Sequence, residues 1–184
     1  EQESDRLIRL VNDLLVLARA DAGRGLVKDS IEIRPVLEET VRQARVLDPS
    51  RQIRLETAAS TTVSGDRDAV KQIMLILLDN ALKHSDGDID VRATQSGQQV
   101  VIQVQDHGPG IAQATMERIF DRFTRGDERL RSSGLGLGLP IARTLVEALG
   151  GSITLDSEVG EGSTVTVTFA AEPTLDLDPT VNGG

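Results

Sequence analysis

Apolar residues return at intervals of three and four through Leu7, Leu10, Leu14 and Leu17, with Ile8, Val11, Leu15 and Ala18 widening the stripe. That spacing predicts an amphipathic helix over Glu3 to Ala22, stopped near Gly23. Its apolar face has no helical partner nearby in the sequence, so another chain, a further segment or the following domain must cover it. Gly23-Arg24-Gly25 reads as a break or linker. A short strand is then expected over Ile31 to Ile33, and Pro35 suits the first turn of a helix carried by Val36, Leu37, Val41 and Ala44 to about Leu47. Residues 52–57 alternate around Ile53 and Leu55, Thr62-Val63 forms a further short strand, and Gly65-Asp66 opens a long helix.

That helix is almost wholly apolar through Leu78 and then turns to Asp79, Asn80, Lys83 and His84. On a helical period Asn80 shares a stripe with Ile73, Ile76 and Leu77, and Lys83 and His84 follow it at i+3 and i+4. An amide on an apolar stripe costs free energy unless it finds partners, and either a neighbouring backbone carbonyl or a bound ion would serve. After the Asp86-Gly87 turn, strands are expected over 89–93 and 100–104, joined as a hairpin around Ser96-Gly97. The second strand runs straight into Asp106-His107-Gly108-Pro109-Gly110-Ile111. A short helix ends near Ile119-Phe120, and residues 121–138, rich in Arg, Ser and Gly, read as a long mobile loop. Leu139 to Leu149 is helical, with Pro140 in its first turn and Gly150-Gly151 stopping it. Strands over 153–155 and 165–169, turned at Gly160-Glu161-Gly162, complete the pattern, and the tail from Glu172 is expected to be disordered.

Composition narrows what these elements can do. The chain has 184 residues, 39% hydrophobic and 27% charged, enough for one globular domain with appendages. No apolar run approaches a bilayer span, and the acidic start Glu1 to Asp5 is not a signal peptide. There is no Cys and there are two His, which excludes a disulfide framework or thiolate site and counts against zinc. A formal charge of -9 and an aromatic content of 2% argue against nucleic acid as a partner, because phosphate neutralisation and base stacking both lack their residues.

Two glycine-rich stretches carry the candidate chemistry. Asp106-x-Gly108-x-Gly110 lies where a strand gives way to a loop, where glycines admit a close backbone approach and a fixed carboxylate accepts a hydrogen bond from an exocyclic amine such as adenine's. An Asx turn would show the same residues. Gly134-Leu135-Gly136-Leu137-Gly138-Leu139 leads into the helix containing Pro140, so backbone amides converge where a phosphate could sit. No strand precedes these glycines, which excludes a dinucleotide fingerprint, and there is no Gly-Lys-Ser/Thr for a Walker loop. Arg118, Arg122, Arg125, Arg129 and Arg131 form a cationic run just ahead of them, suited to clamping a polyphosphate.

In this order the motifs resemble the ATP-binding domain of bacterial sensor histidine kinases, within the superfamily shared with gyrase, MutL and heat-shock chaperones. Asp79-Asn80-Ala81-x-Lys83-His84-Ser85 looks like the N box and Asp106-x-Gly108-x-Gly110-Ile111 like the first glycine box. Ile119-Phe120-Asp121-Arg122-Phe123 is similar to the F box, Gly134-x-Gly136-x-Gly138-Leu139 to the second glycine box, and Gly160-x-Gly162-Ser163-Thr164 to the closing glycine-threonine turn. Residues 5–21 resemble the second helix of the dimerisation and phosphoacceptor hairpin. The resemblance implies an α+β fold, a two-layer α/β sandwich of the Bergerat type with a mixed sheet packed on helices and one amphipathic bundle helix before it. It divides the chain into a partial hairpin over 1–22, a linker over 23–30, a catalytic ATP-binding domain over 31–171 and a tail over 172–184.

The same resemblance implies Mg-ATP as ligand. Asn80 would ligate Mg²⁺, Lys83 and His84 would lie near the phosphates, and Asp106 would read the adenine amine in a pocket shaped by Gly108, Gly110 and Ile111. Phe120, Arg122, Arg125, Gly134, Leu135, Gly136, Leu137, Gly138, Leu139 and Thr164 complete the implied site, with Arg122 to Gly138 as a lid. Asn80, Lys83 and Arg122 would serve the transfer itself, in which positioning and charge neutralisation do most of the work.

Three departures sharpen this expectation. Ile76 stands where the family usually has Asn and where the superfamily's hydrolases have a Glu that activates water, so no general base comes from that position. Leu135 replaces a small polar residue, and neither His84 nor His107 has the sequence context of a phosphoacceptor. The implied protein is therefore a histidine kinase whose acceptor histidine is on another segment, with a response regulator, its own acceptor helix and a second protomer as partners. It is expected to be the cytoplasmic part of an inner-membrane sensor. A superfamily ATPase, a serine kinase or a degenerate nucleotide-binding scaffold are the alternatives.

Overall fold

The computed structural model describes residues 29–58, 61–116, 118–120 and 138–172. The helix expected over Glu3 to Ala22, most of the linker, the lid over 121–137 and the tail beyond Glu172 lie outside these residues.

Strand β1 (Asp29–Glu32) pairs antiparallel with β3 (Thr62–Gly65), and helix α1 (Ile33–Leu47) follows β1 without a loop. The first described strand thus begins at Asp29, inside the stretch read as linker from sequence. The first helix also begins two residues before Pro35. Pro35 falls in the first helical turn, where its missing N–H is no loss, so the helix takes in the fully buried Ile33. Strand β2 (Ile53–Thr57) precedes β3, and helix α2 (Arg67–His84) is the long element that carries Asn80. Asp66 caps α2 by accepting from the Ala69 N–H at 3.0 Å, and Asp68 at its start and Lys83 at its end suit the helix dipole.

The hairpin β4 (Ile89–Ser96) and β5 (Gln99–Asp106) turns through Gly97, and is followed by the one-turn helix α3 (Gln113–Met116). Helix α4 (Gly138–Ala148) closes with a Schellman pair, the Gly150 N–H on Glu147 O and the Gly151 N–H on Val146 O, before β6 (Ser152–Glu158) and β7 (Gly162–Ala170). The principal sheet has the order β2-β4-β5-β7-β6, parallel between β2 and β4 and antiparallel elsewhere. The chain does not stop at 171, since the Glu172 N–H bonds to Thr62 O at 2.9 Å and ties the end of the sheet to β3.

Strand alternation decides which face is core. Val100, Ile102 and Val104 of β5 and Val165, Val167 and Phe169 of β7 are buried together with Ile73, Leu77 and Leu78 of α2 and Ile141 and Leu145 of α4. Each such side chain contributes about 1.5–3 kcal/mol on burial, so the seam between sheet and helices dominates the fold's stability. The other face carries Arg54, Arg92, Gln103, Gln105, Thr164 and Thr166, with Gln103 bonded to Thr166 across the strands. The result is a two-layer α+β sandwich with a mixed sheet and helices on one face, as the resemblance implied.

Candidate nucleotide site

The helix face that looked anomalous in sequence is where three segments converge. Ile76, Asn80 and His84 follow one another at i+4 along α2, about 12 Å from first to last at 1.5 Å per residue. Ile76 is 8% exposed, and its Cγ2 would lie 3.3 Å from a Cβ built on Gly138, so the N-terminus of α4 rests on this turn. One turn on, Asn80 is half-buried, and among the described residues its amide makes no side-chain hydrogen bond. A further turn on, the His84 carbonyl would lie 2.9 Å from a Cβ on Gly108, and Ser85 Cβ 2.6 Å from it. Any residue but glycine at 108 would push the Asp106 loop off the helix.

Asp106 closes β5 on the core register, 8% exposed. Its Oδ1 accepts from the Gly108 N–H at 2.9 Å, and the Ser163 backbone N–H, opposite it on β7, favours its charged form. Burial raises its pKa above the ordinary carboxylate value, opposed by those two N–H groups and by the fields of His84 and His107. A carboxylate has room for about four donors, so acceptor positions remain for a ligand. Among the described residues no group of three or more His, Asp or Glu is placed to hold a metal. The Asn80 oxygen on the same groove suits a hard cation that takes most of its ligands from phosphates and water.

The loop after Asp106 is fastened to the β6–β7 turn. Gly110 has φ +69°, and a Cβ there would lie 2.0 Å from Glu158 O. Gly162, at φ +111°, brings its α-carbon against Asp106 O, 2.1 Å from where a Cβ would be. The Gly160 N–H donates to Pro109 O at 2.8 Å, and the Ile111 N–H to Ser157 Oγ at 2.8 Å.

The remaining sequence-derived residues divide. Lys83 is ion-paired with Asp79 on its own helix. Partial desolvation, then the Lys83 charge, lowers the His84 pKa against the pull of Asp106 and Asp79, so His84 is a neutral imidazole near pH 7. Leu139 is a core residue, whereas Phe120 is half-buried with the Arg143 guanidinium 5.8 Å from its ring centroid. Thr164 does not reach the groove: register places Ser163 with Asp106 on the core face, and Thr164 with Gln105 on the other. His107 also turns away, with Nε2 3.0 Å from Asp90 Oδ2, an interaction that holds the Asp90 pKa low. Arg122, Arg125 and Gly134, Leu135, Gly136 and Leu137 lie outside the described residues.

Sequence patterning missed two supports. Arg51 forks over the end of α2, its Nε donating to Gly87 O at 2.8 Å and its Nη atoms to Ser85 O and to Ser85 Oγ at 2.8 Å. Nothing in the local pattern marks it, because its partners lie more than thirty residues on. Arg51→Ala should cost about 1–3 kcal/mol in denaturant unfolding by leaving these acceptors unpaired, and Arg51→Lys should recover less than half, since one ammonium does not reproduce the fork. A lysine variant as stable as the native protein would show that charge alone matters. The second support is Ser157, on the inward register of β6 after Ile153 and Leu155.

A mixed sheet with helices on one face and this groove at its edge is the architecture of histidine kinase catalytic domains. The fold superposes on the mycobacterial sensor histidine kinase MprB with a TM-score of 0.71 at 24% identity, over 80% of this chain and 99% of that one. Full-length ShkA, crystallised in complex with AMPPNP, gives a TM-score of 0.78 at 28% identity, over 93% of this chain and 37% of that one. Residues 65–173 match the family described as "Histidine kinase-, DNA gyrase B-, and HSP90-like ATPase", and the chain belongs to it. Membership makes ATP the implied ligand. The chain is 38% identical over 163 residues to "Probable sensor histidine kinase TcrY" of Mycobacterium tuberculosis, covering 86% of this chain and 34% of the relative. It is 33% identical over 174 residues to "Signal transduction histidine-protein kinase ArlS" of Staphylococcus haemolyticus, covering 91% and 38%. It therefore spans little more than a third of these curated relatives. No helix among the described residues is long and apolar enough to cross a membrane.

Proposed function

We propose that the chain is the ATP-binding catalytic part of a sensor histidine kinase in a two-component system. It transfers the γ-phosphoryl of Mg-ATP to a histidine on a segment outside this chain, for relay to an aspartate of a response regulator. The observation that carries this reading is the convergence of a desolvated Asp106, an amide-bearing turn at Asn80 and the start of α4 on one helix face. The relatives' names and the AMPPNP complex of ShkA support it.

In this reading Asp106 accepts from the adenine amine, and Gly108 and Gly110 let the loop backbone close on the base. Asn80 holds Mg²⁺, which when bound neutralises charge spreading over the transferred phosphoryl. The amides at the start of α4 from Gly138 bind the phosphates, and Lys83, Arg122 and Arg125 supply cationic charge to neutralise them. His84 takes part as a neutral donor or acceptor, not as a cation. Residues 1–22 would supply the second helix of the dimerisation hairpin and residues 23–30 the linker, and the domain is the cytoplasmic part of a membrane sensor acting as a homodimer.

Ile76 favours transfer over hydrolysis. Buried under Gly138, it offers no base to water, and neither His84 in the groove nor His107 on the far face has an acceptor's setting. The test is calorimetric binding of Mg-AMPPNP, followed by incubation with Mg-ATP and a histidine-bearing helical hairpin supplied in trans. Micromolar binding and acid-labile phosphate on the hairpin are expected. Release of inorganic phosphate without transfer would favour the ATPase alternative, and absence of binding the scaffold.

A further inference from the structure

Ser157 lies at the point where the Asp106 loop meets the β6–β7 turn. Its partners on the same register of β6, Ile153 and Leu155, are apolar and pack toward the helices, so a hydroxyl there is an exception to the strand's pattern. Three groups surround its Oγ: the Ile111 N–H at 2.8 Å, Gly162 O at 2.8 Å and Ser163 Oγ at 3.0 Å. A serine hydroxyl has one proton and two lone pairs. The arrangement that satisfies every partner has Ser157 donating to Gly162 O and accepting from both Ile111 N–H and the Ser163 hydroxyl.

This saturation has two effects on the groove. It fixes Ile111, next to the left-handed Gly110, against β6. It also draws the Ser163 proton away from Asp106, beside which Ser163 stands on β7. Of the two ties between the loop and the turn, that from Gly160 to Pro109 O is made by backbone groups alone and does not involve Ser157. The tie to Ile111 depends on one side chain.

We infer that Ser157 is a positioning residue that sets base discrimination in the pocket, a role resting on the nucleotide reading above. Asp106 is a hydrogen-bond acceptor, so it favours a base with an amine at that edge and disfavours one with a carbonyl oxygen, the difference between adenine and guanine. The discrimination holds only while the loop backbone keeps the base on the carboxylate. The phosphates, held by α2 and α4, do not depend on it.

The experiment measures dissociation constants of Mg-ATP and Mg-GTP for the native chain, Ser157→Ala and Ser157→Thr. Loss of one good hydrogen bond predicts that Ser157→Ala weakens ATP about tenfold and GTP by less than about twofold, so that the ATP:GTP preference falls about five- to tenfold. Ser157→Thr keeps the hydroxyl on a residue suited to a strand and should hold the preference within about twofold of native. If Ser157→Ala does not fold, Ser157→Cys, similar in size but a weak donor and acceptor, should show the same fall. An unchanged preference, or an equal weakening of both nucleotides, overturns the inference. A native chain that binds neither nucleotide overturns the nucleotide reading and this inference together, and is told apart because it appears before any substitution.

Discussion

Asn80→Ala should abolish the Mg²⁺-dependent part of nucleotide binding while leaving the protein folded. Divalent-cation contacts to phosphate are worth several kcal/mol, so affinity for ATP in magnesium should drop by at least about 100-fold. The same variant should melt no lower than the native protein, because Asn80 is only half-buried, has no side-chain hydrogen bond among the described residues, and gives way to a better helix former. The decisive comparison is in EDTA, where native and variant should bind equally weakly. A variant that keeps magnesium-dependent affinity in calorimetry would remove Asn80 from the metal's coordination.

The second large effect separates function from stability. Asp106→Asn should weaken ATP about 10- to 100-fold, the range for losing a hydrogen bond to a charged acceptor, yet make the ligand-free protein more stable at neutral pH. The sign follows from burial. A folded-state pKa raised above the unfolded value of 3.8 means that Asp106 contributes stability below that value and loses it as pH rises through the folded pKa. Above the folded pKa the native carboxylate is ionised against its surroundings. Asparagine removes that penalty and still accepts from the Gly108 N–H. The variant's advantage in melting temperature should therefore grow as pH rises above 3.8 and fade as pH falls toward it. A destabilised Asp106→Asn at pH 7 would mean that the charge is a net support of the fold.

Most of the scaffold was legible because its elements obey simple periods. The alternation of Val100, Ile102 and Val104 and of Val165, Val167 and Phe169 located the core strands, and Asp66 and Gly150 marked the ends of helices. Asn80 stood out as a polar residue on an apolar stripe, and Asp106 as a carboxylate where a strand gives way to glycines. What escaped was parity and distance. Choosing Thr164 over Ser163 is a one-residue slip, and in a strand such a slip changes the face of the sheet. The alternation at 165, 167 and 169 already assigns 163 to the core side. Ser157 follows the same logic, as a hydroxyl continuing the register of Ile153 and Leu155. Arg51 had no such signal, since its role arises from a turn placed beside it only by the pairing of β2 with β4.

The pairing of Asp106 with Ser163 also bears on the order in which the protein acquires its properties. The two residues belong to strands separated in the chain by α3, α4 and β6, and they meet only when β7 takes its place beside β5. Before that event the carboxylate is hydrated, lacks its second backbone donor and has no Ser157 network beside it. Contacts of such long sequence separation close late and slowly. A chain emerging from the ribosome would thus stay blind to the cell's nucleotide pool until β7 docks. From then on ATP would act as a ligand of the finished fold alone, holding it closed by mass action.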